Sequence, residues 1–203
     1  HVNRLDEDLE ILGWLGVDAY RFSISWPRVM PEGSGPLSAK GVDFYDRLID
    51  GLLARGIAPV ATLFHWDLPS RLEQAGGWPA RDTALRFADY AEAMAQRYAD
   101  RVDRWATLNE PWCSAFLGYS SGYFAPGRRE PGAALAAGYH LLLGHGLAVE
   151  RLRAANARNV GIVLNVIPVV AETPEIQPVA TYIDGLQNRF FLDPLAGRGL
   201  PAD

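Results

Sequence analysis

Trp105-Ala106-Thr107-Leu108-Asn109-Glu110-Pro111 is a short apolar run that ends in an amide, a carboxylate and a proline. Neither Asn109 nor Glu110 adds apolar burial, so packing does not account for them. Pro111 cannot donate to a strand ladder and biases Glu110 towards extended geometry, which predicts that a strand ends here. Alternation sends neighbouring side chains to opposite faces, so Asn109 and Glu110 meet one ligand only if the chain turns at this point. Taken alone, the stretch fits a solvated loop carboxylate equally well. The rest of the chain decides between the two.

Upstream, residues 57–65 read as a strand, with Ala61, Leu63 and His65 on one side and Val60, Thr62 and Phe64 on the other; Trp66-Asp67-Leu68-Pro69 leaves it. Residues 17–26 alternate as well: Phe22, Ile24 and Trp26 share one face, Arg21, Ser23 and Ser25 the other. That pattern puts an arginine on the inside of a helix-covered sheet, which is costly unless a carboxylate or ligand answers it. A fourth strand over residues 160–167 carries Asn165. Helical spacing separates the strands. It covers Leu5 to Leu15, with Asp6, Glu7 and Asp8 in its first turn and Gly16 as a stop, then residues 42–55. It returns over residues 83–98 behind Asp82 as N-cap, 133–155 and 179–191. Residues 27–36 and the aromatic stretch 111–131 read as loops.

The order helix, strand, helix, strand predicts an α/β fold with parallel strands and helical crossovers. Each strand ends in polar chemistry: Ser25, His65, Asn109 with Glu110, and Asn165. Groups gathered at the C-terminal ends of parallel strands are how a (β/α)8 TIM barrel builds its site. An open doubly wound sheet also binds ligands there, but no glycine-rich phosphate loop follows any of these strands.

The composition is that of a globular protein: 203 residues, 49% hydrophobic and 21% charged. We read residues 1–203 as a single, incomplete domain. The net charge is −5, Lys40 is the sole lysine and the arginines are scattered, so no electrostatic footprint for nucleic acid or an anionic membrane forms. No apolar run approaches the roughly 20 residues that span a bilayer. The single cysteine, Cys113, favours a reducing compartment, and no signal-peptide pattern opens the chain, so a cytoplasmic location is expected. His1, His65, His140 and His145 form no metal-ligand spacing, and no cofactor is expected.

Several segments together carry a family resemblance. Tyr20-Arg21-Phe22-Ser23-Ile24-Ser25-Trp26-Pro27-Arg28, Phe64-His65-Trp66-Asp67-Leu68-Pro69 and Thr107-Leu108-Asn109-Glu110-Pro111-Trp112 resemble glycoside hydrolase family 1, the β-glucosidase family. Phe116-Leu117-Gly118-Tyr119, Ala125-Pro126-Gly127, His145-Gly146 and Gln187-Asn188-Arg189-Phe190-Phe191-Leu192-Asp193-Pro194 fit it too. The resemblance runs through the whole chain in order. It implies a (β/α)8 barrel and retaining hydrolysis of β-glycosides. By that resemblance Glu110 is the general acid/base and Asn109 hydrogen-bonds the sugar 2-hydroxyl. His65 and Trp66 contact the non-reducing sugar, and Arg21 holds the catalytic nucleophile ionised. Asn165 supports or contacts the sugar, and Trp112 lines the pocket. Leu108 departs from the aromatic residue more usual before Asn-Glu-Pro.

The resemblance covers about strands two to five of eight. The first strand, with its sugar-binding glutamine, is expected before His1. The last three, with a Thr-Glu-Asn-Gly motif carrying the nucleophile, are expected after Asp203; Glu172-Thr173 has the wrong order. A retaining glycosidase needs both carboxyl groups, about 5–5.5 Å apart. The 203 residues alone are therefore expected to be inactive, while the parent protein is expected to be a β-glycosidase. Two alternatives stand beside this: a phospho-β-glycosidase, and a non-catalytic sugar- or partner-binding half-barrel. Unpaired barrel edges are expected to drive self-association. Cys113 reads as a small buried filler, and Phe116, Tyr119, Tyr123 and Phe124 read as packing.

Overall fold

A computed structural model describes residues 1–202. Four parallel strands form one sheet: β1 (Ala19–Ser23), β2 (Ala58–Phe64), β3 (Arg104–Asn109) and β4 (Val160–Val163). Their spatial order is their sequence order, β1-β2-β3-β4. A doubly wound sheet reverses order at a switch point; sequential neighbours are the winding of a (β/α)8 barrel. The chain builds part of such a barrel.

Helices follow each strand. α1 (Leu5–Leu15) precedes β1 and ends at Gly16, whose φ of 64° is left-handed. α2 (Trp26–Val29) and α3 (Ala39–Leu53) link β1 to β2; α4 (Ser70–Gln74) and α5 (Arg81–Tyr98) link β2 to β3. α6 (Pro131–Ala154) links β3 to β4, and α7 (Gln177–Asp184) and α8 (Phe190–Leu195) come last. α3 starts three residues before the expected position because Ser38 accepts the Gly41 N–H and caps it. A Cβ at Gly41 would lie 2.2 Å from the Arg28 carbonyl oxygen, so α2 and α3 pack only through a glycine. Asp82 is not the cap expected of it. Ala80 holds that position, and Asp82 sits in the first turn, paired with Arg86.

Two other expectations change. The stretch after Pro111 is not all loop: Cys113–Ser120 winds as a π-helix. Among the described residues α6 is long and apolar enough, by length and composition, to cross a membrane. Runs of strictly apolar residues miss it because leucine and alanine supply its hydropathy while Tyr139, His140 and His145 interrupt the run. Here α6 lies against α5 with Ala137, Leu141, Gly144, Ala148 and Leu152 buried.

The core lies between sheet and helices. Ile24, Trp26, Leu48, Ile49, Leu52, Leu63, Phe87, Tyr90 and Met94 are fully enclosed there. Trp26 stacks on Tyr90 with ring centroids 5.0 Å apart. The Tyr90 hydroxyl lies 3.0 Å from both the Ile24 and Leu63 carbonyl oxygens, so one buried donor ties the ends of β1 and β2 together. Tyr90→Phe is expected to cost about 1–3 kcal/mol, because two buried carbonyls lose that donor while the ring stays. An unchanged urea midpoint would show that the hydroxyl contributes nothing.

Candidate active site

Strict alternation fails where β2 and β3 end, and the failure builds the site. Thr62 takes a hydrogen bond from Arg21 on the inner face, whereas Phe64, two residues on, packs against Trp78 and Phe87 in the helical layer. His65 then returns to the inner side beside Ser23, not to the face of Ala61 and Leu63 where alternation put it. β3 repeats this. Thr107 reaches His145 on α6, yet Asn109 reaches Arg21. The β3–β4 register shifts between Ala106 and Asn109, the kind of irregularity that re-aims a side chain.

Left-handed residues complete the turns. Trp66 has φ 80° and Glu110 φ 46°, each immediately after a site residue at a strand end. For non-glycine residues this costs on the order of 1–3 kcal/mol each. It is the turn that Asn109 and Glu110 needed to share one mouth. The Glu110 N–H bonds the Val163 carbonyl at 2.8 Å and its carbonyl accepts the Cys113 N–H at 2.9 Å, so both sides of the turn are pinned.

Donor rules orient the polar network. The Arg21 guanidinium only donates; its Nε bonds Thr62 Oγ1 at 2.9 Å and one Nη bonds Asn109 Oδ1. Asn109 therefore presents its NH2 to His65 Nε2, 3.1 Å away. Nε2 must accept, so His65 is neutral with its proton on Nδ1, donated to Ser23 Oγ at 3.1 Å. Burial and the Arg21 charge both lower the His65 pKa, against an opposing pull from Glu110 and Asp67. The Trp66 indole N–H donates to the Asn109 carbonyl at 2.9 Å, locking that strand end. Behind Trp66, burial raises the Asp67 carboxyl above its usual range, offset in part by a hydrogen bond from Ser25.

Arg21, His65, Trp66 and Asn109 are thus one connected group. Arg21 is exposed, not buried, because no layer covers the inner face of the four-stranded arc. Glu110 is half-buried and accepts from the Cys113 thiol, which also receives the Asn165 amide. Asn165 lies past the end of β4, which stops at Val163, not on the longer strand expected. Trp112 joins neither group by hydrogen bond; it stacks on Phe116 at 5.5 Å. Phe124 packs on Trp66 at 4.9 Å, but Tyr123 is 85% exposed and packs nothing away.

Sequence reasoning missed Ser23 and Thr62 as the partners that orient His65 and Arg21; the inward parity of Ser23 was visible, whereas Thr62 was placed on the face opposite His65. It also missed Gln187 and Asn188, whose amides hold the backbone at Asn165 and Ile167. Among the described residues no group of three or more His, Cys, Asp or Glu could hold a metal ion.

The histidines set a pH dependence. His145, held to Thr107, is also lowered, by burial first and Arg153 second. A folded-state pKa below 6.5 means the folded chain binds fewer protons than the unfolded one. That stabilisation is complete above the unfolded value and is lost as pH falls through it towards the folded value. The urea midpoint is expected to drop between about pH 7.5 and about pH 5.5, and His145→Gln to flatten the drop. A midpoint that holds or rises on acidification would contradict this.

The family model described as glycosyl hydrolase family 1 matches residues 1–200. A thermostable β-glucosidase B from Thermobispora bispora is 51% identical over 98% of this chain and 41% of its own length. Among solved structures, a psychrophilic β-glucosidase from Micrococcus antarcticus superposes with a TM-score of 0.95 at 47% identity, over all of this chain and 44% of that one. A Thermotoga maritima β-glucosidase in complex with castanospermine gives 0.95 at 42% identity, covering 46% of that chain. The chain therefore spans less than half the length of these relatives. Matched across nearly all its residues in sequence and backbone, the chain belongs to glycosyl hydrolase family 1.

Proposed function

We propose that this chain carries the acid/base half of a retaining β-glycoside hydrolase, acting on terminal β-glycosidic bonds as β-glucosidases do. The observation that carries the proposal is the left-handed turn at Glu110, which sets a half-buried carboxylate next to an amide already oriented by Arg21 and His65. In this scheme Glu110 protonates the leaving glycosidic oxygen and then deprotonates the attacking water. The second N–H of Asn109 is left to bond a sugar hydroxyl, its first being taken by His65. Two of the five Arg21 N–H groups go to Thr62 and Asn109, and the others are available to a second carboxylate. That carboxylate is the nucleophile, which this scheme places outside the 203 residues. β1 and β4 each have one unpaired edge, so the isolated chain is also proposed to self-associate.

The test is hydrolysis of a chromogenic β-glucoside by the 203-residue chain and by its complete natural polypeptide. Turnover is expected only from the latter. Turnover by the 203 residues alone would refute the split of the carboxylate pair, and turnover by neither would refute the glycosidase assignment.

A further inference from the structure

Glu110 has one neighbour that the proposed reaction does not use. The Cys113 sulfur lies 3.5 Å from Glu110 Oε2, and the Asn165 side-chain nitrogen lies 3.6 Å from the same sulfur. Cys113 is buried and unpaired with any other cysteine. It opens the π-helix, and its own N–H closes the turn onto the Glu110 carbonyl, so thiol and carboxylate are held on one short loop. Sulfur is a weak donor and a weak acceptor, yet the direction here is fixed: the Asn165 NH2 can only donate to sulfur, and a carboxylate can only accept.

We propose that Cys113 is a positioning residue for Glu110, its S–H donating to Oε2 while Asn165, itself held through its carbonyl by Gln187, orients the sulfur. The proposal rests on Glu110 being the acid/base. A group that must release and recover a proton needs a neighbour that tolerates both states. A neutral thiol donates to the carboxylate and offers a lone pair to the acid; a lysine or an aspartate in its place would favour one form only. Burial, reinforced by Glu110, pushes the thiol up to about 11, so it stays protonated through the working range. The Gln187 amide reaches the Asn165 carbonyl at 3.2 Å, which ties this arrangement to the segment after α7.

Cys113 is the only cysteine, so its S–H Raman band is unambiguous. In the 203-residue chain the band is expected at the low, hydrogen-bonded frequency and to rise in Glu110→Ala. A band that does not move with Glu110→Ala overturns the bond. In the complete polypeptide, Cys113→Ala is expected to lower kcat/KM for an alkyl β-glucoside, whose leaving group needs protonation, by about fivefold. The loss in kcat/KM on a 2,4-dinitrophenyl β-glucoside, whose leaving group needs no proton, is expected to be several-fold smaller. Cys113→Ser is expected to restore most of the alkyl-glucoside rate. Equal losses on both substrates would mean a structural role and would overturn the proposal. The acid/base assignment fails separately, through Glu110→Gln retaining activity, whatever the Raman band does.

Discussion

If Glu110 is the acid/base as proposed, Glu110→Gln in the complete polypeptide is expected to lower kcat/KM for an alkyl β-glucoside by about 10²–10⁴-fold, the usual contribution of a positioned acid or base. Glutamine preserves the shape of the side chain, can hold the same left-handed backbone, and still offers an oxygen to the Cys113 thiol. What it lacks is a proton to give. For that reason the loss must depend on the leaving group. A 2,4-dinitrophenolate departs without protonation, so the first step survives on that substrate. The second step, which needs a base to deprotonate water, then limits turnover, and kcat and KM fall together as the glycosyl-enzyme accumulates. An anion such as azide needs no base, and its addition should restore turnover of the dinitrophenyl substrate and leave the alkyl substrate slow. Equal losses on both substrates with no azide effect would show that Glu110 acts on binding or folding instead. The thermal midpoint of the variant separates those two.

The α/β order was plain in the sequence because α3 and α5 keep a helical apolar period and the strands keep a two-residue one over most of their length. Periodicity is local information, and it stopped being true where β2 and β3 end. Phe64 and His65 exchanged their expected faces at the end of β2, Asn109 crossed to the inner side where the β3–β4 register shifts, and a left-handed residue follows directly on His65 and on Asn109. Nothing in Thr107-Leu108-Asn109 announces that shift. Only the requirement that Asn109 and Glu110 share a ligand pointed to a turn. Arg21 shows the other limit. Its inward parity was legible, but its exposure depends on whether anything covers the inner face, a property of segments far away in the chain. The π-helix at Cys113–Ser120 was hidden for a different reason: its small and aromatic residues have no amphipathic period, and a following run of glycine, proline and aromatics reads as loop.

Trp26→Ala is expected to cost about 3–5 kcal/mol, a large share of the roughly 5–15 kcal/mol that holds a domain together. Trp26 is fully enclosed, stacked on Tyr90 and packed at 5.7 Å on Phe87, so truncation leaves a cavity between the end of β1 and the α5 face. Its indole N–H is buried and has no hydrogen-bond partner among the described residues. Trp26→Phe therefore sacrifices no hydrogen bond and removes an unsatisfied donor. Its cost is expected to be well under half that of the alanine variant, and the contrast isolates packing as the cause. The site should respond as well. Tyr90, which Trp26 supports, ties the Ile24 and Leu63 carbonyls; Ser25 directly follows the first, and His65 lies two residues past the second. Loosening that tie frees the strand ends that aim His65 at Asn109. Amide exchange at residues 24–26 and 63–66 is therefore expected to accelerate in Trp26→Ala under conditions where the chain remains folded. If the alanine and phenylalanine variants were equally unstable, or exchange rose uniformly across the chain, Trp26 would be supporting the fold at large and not the strand ends that carry the site.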